Sequence, residues 1–132
     1  MPPSFKSIRG RLDRAGIFLS GLCAVHCVLG VVLVGVLGLG GGVLLDPAIH
    51  EVGLALAVVF GAVSLGFGVR HHGRVAPLVI GGLGLSLMAT ALFVGHGLPE
   101  AVLTILGVAL VASAHIVNLR GHRAHASDQH RP

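Results

Sequence analysis

Residues 16–37 read GIFLSGLCAVHCVLGVVLVGVL, an uncharged stretch of 22 residues. As an α-helix it would rise about 33 Å, enough to span the hydrocarbon core of a bilayer, which is about 30 Å thick. A strand of a membrane barrel would alternate apolar and polar residues over about ten positions, and this stretch has no such alternation. The stretch therefore predicts a transmembrane helix.

The composition of the whole chain indicates the same environment. Of its 132 residues, 54% are hydrophobic and 11% are charged, too few polar groups to cover so short a water-soluble domain. The apolar content also excludes disorder, and two cysteines are too few for a disulfide scaffold. Three further stretches lack charge: Val52–Val69, Val75–Gly95 and Ala101–Leu119. The sequence predicts an all-α membrane protein, a four-transmembrane-helix bundle with spans at about 16–37, 52–69, 75–95 and 101–119.

The charges predict the orientation of this bundle. All nine Lys and Arg residues fall on one side of the four spans: Lys6, Arg9, Arg11, Arg14, Arg70, Arg74, Arg120, Arg123 and Arg131. The segments on the other side carry Asp46, Glu51 and Glu100. By the positive-inside rule both termini face the cytoplasm, and the basic charge reflects topology rather than a nucleic-acid partner. Residues 1–14 then form a basic cytoplasmic N-terminus, 15–119 the transmembrane domain and 120–132 a His-rich cytoplasmic tail. The first apolar run exceeds the roughly 7–15 residues of a signal-peptide core, so we expect it to be retained.

Span one contains three residues of metal-ligating type, Cys23, His26 and Cys27. Since they lie three and four positions apart, they share one face of a helix. Cβ atoms at this spacing are about 5–6 Å apart, whereas a disulfide needs roughly 3.5–4.5 Å. Two thiolates on one ion need sulfurs about 4.6 Å apart, so the spacing favours chelation. Thiolate ligands favour the soft ions Hg(II), Cu(I) and Zn(II).

Packing is the alternative interpretation of the same three residues. Free cysteine is a small apolar residue common in protein interiors, and His26 could serve only as an interhelical hydrogen-bonding group. An ionisable side chain inside a membrane is costly, however, and is by default a functional candidate. We therefore take Cys23, His26 and Cys27 as the candidate metal ligands.

Other polar residues could assist such a site. His115 and Asn118, near the end of span four, are expected to share a polar face that points into the bundle. Whether that face binds metal or only bonds a neighbouring backbone stays open. His72, in the basic loop, is a further accessory candidate, with a solvated cluster as the competing interpretation. On the opposite side His50 and His96 could receive an incoming ion. The tail adds three histidines that could capture metal weakly: His122, His125 and His130.

Small residues spaced four apart predict close packing between helices. Such stripes occur at Gly53, Ala57 and Gly61 in span two and at Gly82 and Ser86 in span three. They let helix backbones approach where lipid supplies no hydrophobic drive for association. A homodimer through such a stripe is permitted but not required.

Three strings carry a resemblance to a known family: RLDRAGIFLSGLCAVHC at residues 11–27, GVRHHGR at 68–74 and AHIVNLR at 114–120. Together they resemble the MerC-domain proteins, named for a mercury-resistance transporter, over nearly the whole chain. The resemblance implies a four-span bacterial inner-membrane protein that moves or binds Hg(II) through Cys23 and Cys27, in a subgroup with a histidine, here His26, between them. The mercury transporters have two residues between their first-span cysteines where this chain has three. They also have a second cysteine pair near the C-terminus, where this chain has only histidines.

These features together predict a function. We expect heavy-metal binding and uptake across the inner membrane through the Cys-x-x-His-Cys element, with no tightly bound cofactor. His115 and Asn118 would offer an exit on the cytoplasmic side, with the His-rich tail or a cytosolic thiol as the acceptor. The alternatives are a membrane module that senses or binds a metal, or a haem through His26 and His115, without transport, and a structural membrane subunit. An enzyme is not expected, because five acids scattered along the chain offer no nucleophile–base–carboxylate set.

Overall fold

The protein is a bundle of four α-helices. The computed structural model describes residues 4–128, except for the side chains at positions 5, 6, 72, 122 and 125–127. The helices, numbered in chain order, are α1 (Phe5–Gly30), α2 (Pro47–His72), α3 (Ala76–Ala91) and α4 (Leu98–Asp128). A π-helical turn at Val31–Val36 and a 3-10 turn at Gly42–Leu45 lie between α1 and α2. Residues 4–128 contain no strand, so the all-α four-helix prediction is confirmed.

The outer surface of the bundle is that of a membrane protein. Three segments are long and apolar enough to cross a bilayer, Ser7–Val36, Pro47–His71 and Leu98–Gly121, while α3 is a shorter apolar helix. Large apolar side chains are exposed along the helices, and Phe18 on α1, for example, is 69% exposed. Such a surface is unfavourable in water and suits contact with lipid.

Local sequence explains where α2 begins and ends. Asp46 caps its start by accepting a hydrogen bond from the backbone N–H of Ala48, and Pro47 occupies the first turn, where its missing N–H costs nothing. Gly73 then ends the helix in the left-handed conformation, with φ of 62°, which glycine adopts without strain.

Two helix ends differ from the predicted spans. α3 stops at Ala91 although the uncharged stretch runs to Gly95, because Gly95 and Gly97 turn the chain with φ of 76° and 133°. α4 continues to Asp128, so the first residues of the predicted tail belong to the last helix. Apolar content indicates which residues lie in the membrane. The ends of α3 and α4 depend instead on backbone conformation and on helix propensity.

Glycines bring α3 and α4 into close contact, but at positions other than the stripe predicted in span three. A Cβ built on Gly84 would lie 2.6 Å from the backbone oxygen of Gly107, and one on Gly107 would lie 2.7 Å from that of Gly84. By contrast, Gly82 has nothing within 4 Å and Ser86 is exposed. Next to this crossing lies the apolar core of Ala57, Met88, Val108 and Val111.

α1 and α4 run antiparallel, and their register places the polar residues of α1 against α4. Asp13 accepts a hydrogen bond from Asn118, Gly16 lies against His115, and Cys27 lies beside Thr104. The 14 positions from Asp13 to Cys27 thus match the 14 positions back from Asn118 to Thr104. The residues of α1 that face α4 lie alternately three and four apart, as in the seam of a coiled coil: Asp13, Gly16, Ser20, Cys23 and Cys27.

The basic residues at the helix ends gather at one end of the bundle. Nη2 of Arg9 on α1 donates to the ring of His71 on α2, at 2.9 Å from Nδ1. A Cβ built on Gly121 of α4 would lie 3.5 Å from Nη1 of Arg74. We call this the basic end, and the end with Asp46, Glu51 and Glu100 the acidic end.

Candidate metal site

The Cys27 thiol lies at the meeting point of α1, α2 and α4. The residue is buried, and the side chain of Thr104 lies beside its sulfur. Nε2 of His50, from the first turn of α2, lies 3.7 Å from Sγ. A cysteine, a histidine and a hydroxyl from three helices therefore surround one position, and the thiol is free rather than oxidised.

An acid and a second histidine continue this arrangement toward the acidic end. Glu100 is buried in the first turn of α4, with Oε1 at 3.4 Å from Nδ1 of His50 and Oε2 at 3.0 Å from Nδ1 of His96. His96 is the outermost member, with 47% of its side chain exposed. The chain thus runs from an exposed histidine through a buried carboxylate and His50 to the Cys27 thiol. Glu100 was missed as a site residue, although its i, i+4 spacing from His96 was a usable signal.

His26 stands beside this chain of groups. Its ring meets the ring of His50 edge to face, with centroids 5.4 Å apart. Two crevices of about 480 and 430 Å³ flank this histidine pair. The first also contacts Cys23, and the second also contacts Cys27, His96 and Glu100. Both cysteines can therefore be approached from a crevice beside the two histidines.

Cys23 lies one turn deeper, at the edge of the apolar core. A Cβ built on Gly53 of α2 would lie 3.6 Å from its Sγ, and the residue packs against the cluster of Ala57, Met88, Val108 and Val111. Among the side chains that the structure describes, no three His, Cys, Asp or Glu stand close enough together to hold a metal ion as they are. The two thiols and His26 share one region of α1 without forming a ready three-ligand cage.

A second polar cluster joins α1, α2 and α4 nearer the basic end. Asp13 accepts hydrogen bonds from Nδ1 of His115 at 2.8 Å, from Nδ2 of Asn118 at 3.0 Å and from Oγ of Ser64. Asn118 also donates to the backbone oxygen of Ser64. Asp13 and His115 are both 0% exposed. His115 and Asn118 do point into the bundle, and their partner is a carboxylate.

The remaining predicted positions separate into two groups. The side chains of His72, His122 and His125, and the whole of His130, lie outside the part of the chain that the structure describes, so their roles stay predictions. His26 and His115, the pair considered for haem, are not brought together, because His115 lies against Gly16. Ten positions of α1, about 15 Å of rise, separate Gly16 from His26.

The fold and these clusters define the class as an all-helical transmembrane protein with thiols in the interior of its first helix. The MerC mercury resistance protein family matches residues 13–120, most of the chain and all four apolar segments. The chain therefore belongs to the MerC mercury resistance family, as the sequence resemblance implied. No curated protein and no solved structure matches it.

Proposed function

We propose that this protein binds a thiophilic metal ion, Hg(II) in the first instance, at Cys23 and Cys27 and carries it across the bacterial inner membrane into the cytoplasm. His26 tunes the thiols or completes the coordination. The observation that carries the proposal is the Cys27 thiol held between Thr104 and His50 inside a membrane bundle. Membership of the mercury resistance family supports Hg(II) as the cargo.

The order of polar groups along the bundle supports a direction of entry. With both termini in the cytoplasm, the acidic end faces the periplasm. An incoming cation then meets His96 and Glu100 first, His50 next and the Cys27 thiol after them. The thiol at the inner end is the strongest of these ligands for a soft ion, since carboxylates suit hard ions and thiolates suit soft ones. The ion is thereby drawn inward without an energy source.

A two-ligand site is consistent with the arrangement of the thiols. Cys23 and Cys27 are i, i+4 on α1, and Hg(II) is well satisfied by two thiolates on opposite sides of the ion. No third side chain therefore has to converge on it. A cytosolic thiol takes the ion at the other side, and exchange down the chemical gradient is the simplest mechanism. An enzymatic activity forms no part of the proposal.

Metal titration of the reduced, detergent-purified protein tests the thiol site. We expect one equivalent of Hg(II), measured by mass and by ultraviolet thiolate–metal absorbance, with Cu(I) and Zn(II) as competitors. Cys23 and Cys27 are the chain's only cysteines, so the Cys23→Ser/Cys27→Ser variant is a thiol-free control and should lose this binding. Equal binding by that variant would overturn the proposed site.

Uptake must then be measured with the same pair of proteins. Cells that express the wild-type chain should accumulate more Hg(II), and be more sensitive to it, than cells that express the double serine variant at the same level. Binding without any difference in uptake would favour a membrane metal sensor over a transporter.

A further inference from the structure

His115 carries a buried nitrogen without a partner. Its Nδ1 lies 2.8 Å from Asp13, while Nε2 is buried and has no hydrogen-bond partner. An unpartnered buried polar atom is destabilising, so its persistence in a packed interior calls for an explanation. This group takes no part in the thiol site, since it lies at the level of Gly16 rather than of the two cysteines.

Asp13 determines which ring nitrogen carries the proton. A carboxylate only accepts hydrogen bonds, so Nδ1 of His115 must be the donor. In a neutral imidazole, Nε2 then carries no proton, and its lone pair has no hydrogen-bond donor to accept from. Carboxylate–histidine pairs of this kind orient the histidine ligands of metal sites and raise their basicity. Asn118 and Ser64 hold the carboxylate by donating to it as well.

His115 shares a small cavity with a cysteine of the thiol site. A void of about 10 Å³ is lined by His115, Gly16 and Ser20 toward the basic end and by Cys23 toward the acidic end. This volume is about enough for one water molecule. Apart from Ser20, the residues between the two ends are apolar, including Val108 and Val111.

We propose that Nε2 of His115 is a second metal-ligating position, which takes a soft ion from Cys23 and passes it toward the basic end. Asp13 acts as the positioning residue that holds the ligating tautomer. The inference rests on the proposed function, because it needs an ion already delivered to the thiols. A nitrogen ligand holds a soft ion less tightly than two thiolates do, and a station within a pathway must be weak enough to release what it binds.

The step is a ligand exchange without electron transfer. The bonds of the ion to Cys23 and Cys27 break, and a bond between the ion and Nε2 forms. Because Nε2 enters as a neutral lone pair, His115 gives up no proton. The two released thiolates take back the two protons that the thiols gave up when the ion bound.

The first test uses nitrogen NMR of the wild-type protein, labelled with ¹⁵N in histidine and reconstituted in detergent. Comparison with His115→Gln assigns the resonance. Without metal, we expect Nδ1 protonated and Nε2 unprotonated, and Hg(II) added beyond the first equivalent should shift the Nε2 resonance. An Nε2 resonance that stays unchanged at every ratio of Hg(II) to protein would overturn the proposal. This measurement does not depend on whether any variant transports metal.

The second test measures Hg(II) entry into proteoliposomes that contain glutathione. We expect His115→Gln to lower the initial rate by roughly 10–100-fold while the thiol site still binds one equivalent, and Asp13→Asn to lower it through loss of the tautomer. His71→Gln, at the same end of the bundle but exposed and paired with Arg9, is the matched control and should transport normally.

The outcomes separate this inference from the proposed function. If the thiol site binds Hg(II) and the His115→Gln variant transports like wild type, the proposal for His115 is overturned and the proposed function is not. If His115→Gln loses transport while the Nε2 resonance of the wild-type protein stays unshifted by Hg(II), the cluster of Asp13, His115 and Asn118 only links the helices, and the proposal for His115 is overturned. Unchanged Hg(II) binding in the double serine variant would overturn the proposed function itself.

Discussion

The imidazole of His115 on α4 lies directly against the backbone of Gly16 on α1. A Cβ built on Gly16 would overlap three ring atoms of His115, Nε2 among them. Only glycine leaves room for the ring at this level of the seam. The close approach of α1 and α4 and the hydrogen bond of His115 to Asp13 therefore depend on one another.

Gly16→Ala is expected to destabilise the bundle. The ring of His115 must move, which strains its 2.8 Å bond to Asp13, and overpacking of this kind costs about 1–3 kcal/mol. Gly21→Ala is the matched control, since nothing lies within 4 Å of a Cβ there and alanine favours a helix over glycine by about 0.5–1 kcal/mol. Unfolding in detergent, followed by circular dichroism, measures both. Equal stability of the two variants would contradict the observed packing.

Gly107→Ala is expected to separate α3 from α4. The added methyl group would meet the backbone oxygen of Gly84 and the side chain of Met88, and backbone atoms cannot give way as a flexible side chain does. We expect a loss of about 1–3 kcal/mol in the free energy of unfolding. Gly82→Ala, on the open face of α3, should leave stability unchanged or raise it. If Gly82→Ala proved the more damaging change, the stripe first predicted from sequence would be a true interface with a second copy.

His50→Ala is expected to weaken binding of a soft ion at the thiol site. Nε2 of His50 is 3.7 Å from Cys27, and loss of a supporting group beside a metal ligand typically lowers affinity by roughly 10–100-fold. His96→Ala removes a more exposed histidine whose described hydrogen bond is to Glu100, and its effect on affinity should be much smaller. Competition titration of Hg(II) against glutathione measures both. A larger effect of His96→Ala would place the binding site nearer the surface.

The orientation of the bundle is open to a direct test. With all nine Lys and Arg residues on one side of the four predicted spans, we expect a fluorescent protein fused after residue 132 to fold and fluoresce in the cytoplasm. Alkaline phosphatase inserted after Gly41, on the opposite side, should be active because it reaches the periplasm. The reverse pattern at both positions would invert the proposed direction of entry, so that the basic end would meet the ion first.

The sequence predicted the number of helices and the thiol region because both are local. An uncharged stretch of about 20 residues marks a span wherever it occurs, and the spacing of Cys23, His26 and Cys27 within one helix places them together. His115 and Asn118 were likewise expected to face inward. In each case the signal lies within a few turns of a single helix.

The partners of these residues could not be predicted, because they come from distant parts of the chain. Asp13 is 102 positions from His115 and was considered only as one of the five acids scattered along the chain. The contact of Cys27 with His50 depends on how α1 and α2 cross, which spacing within either helix does not determine. The early end of α3 depends on two glycine φ values that an apolar pattern does not report.

The length of α3 has a consequence for the lipid around the protein. Its 16 residues rise about 24 Å, less than the roughly 30 Å of a bilayer core. Hydrophobic mismatch of this sign is relieved when the bilayer thins locally. The thinning would occur where residues 92–97 leave α3 and bring His96 to Glu100. Water and lipid headgroups then descend toward the crevice beside Cys27, and an aqueous ion has less hydrocarbon to cross before it meets its first ligand.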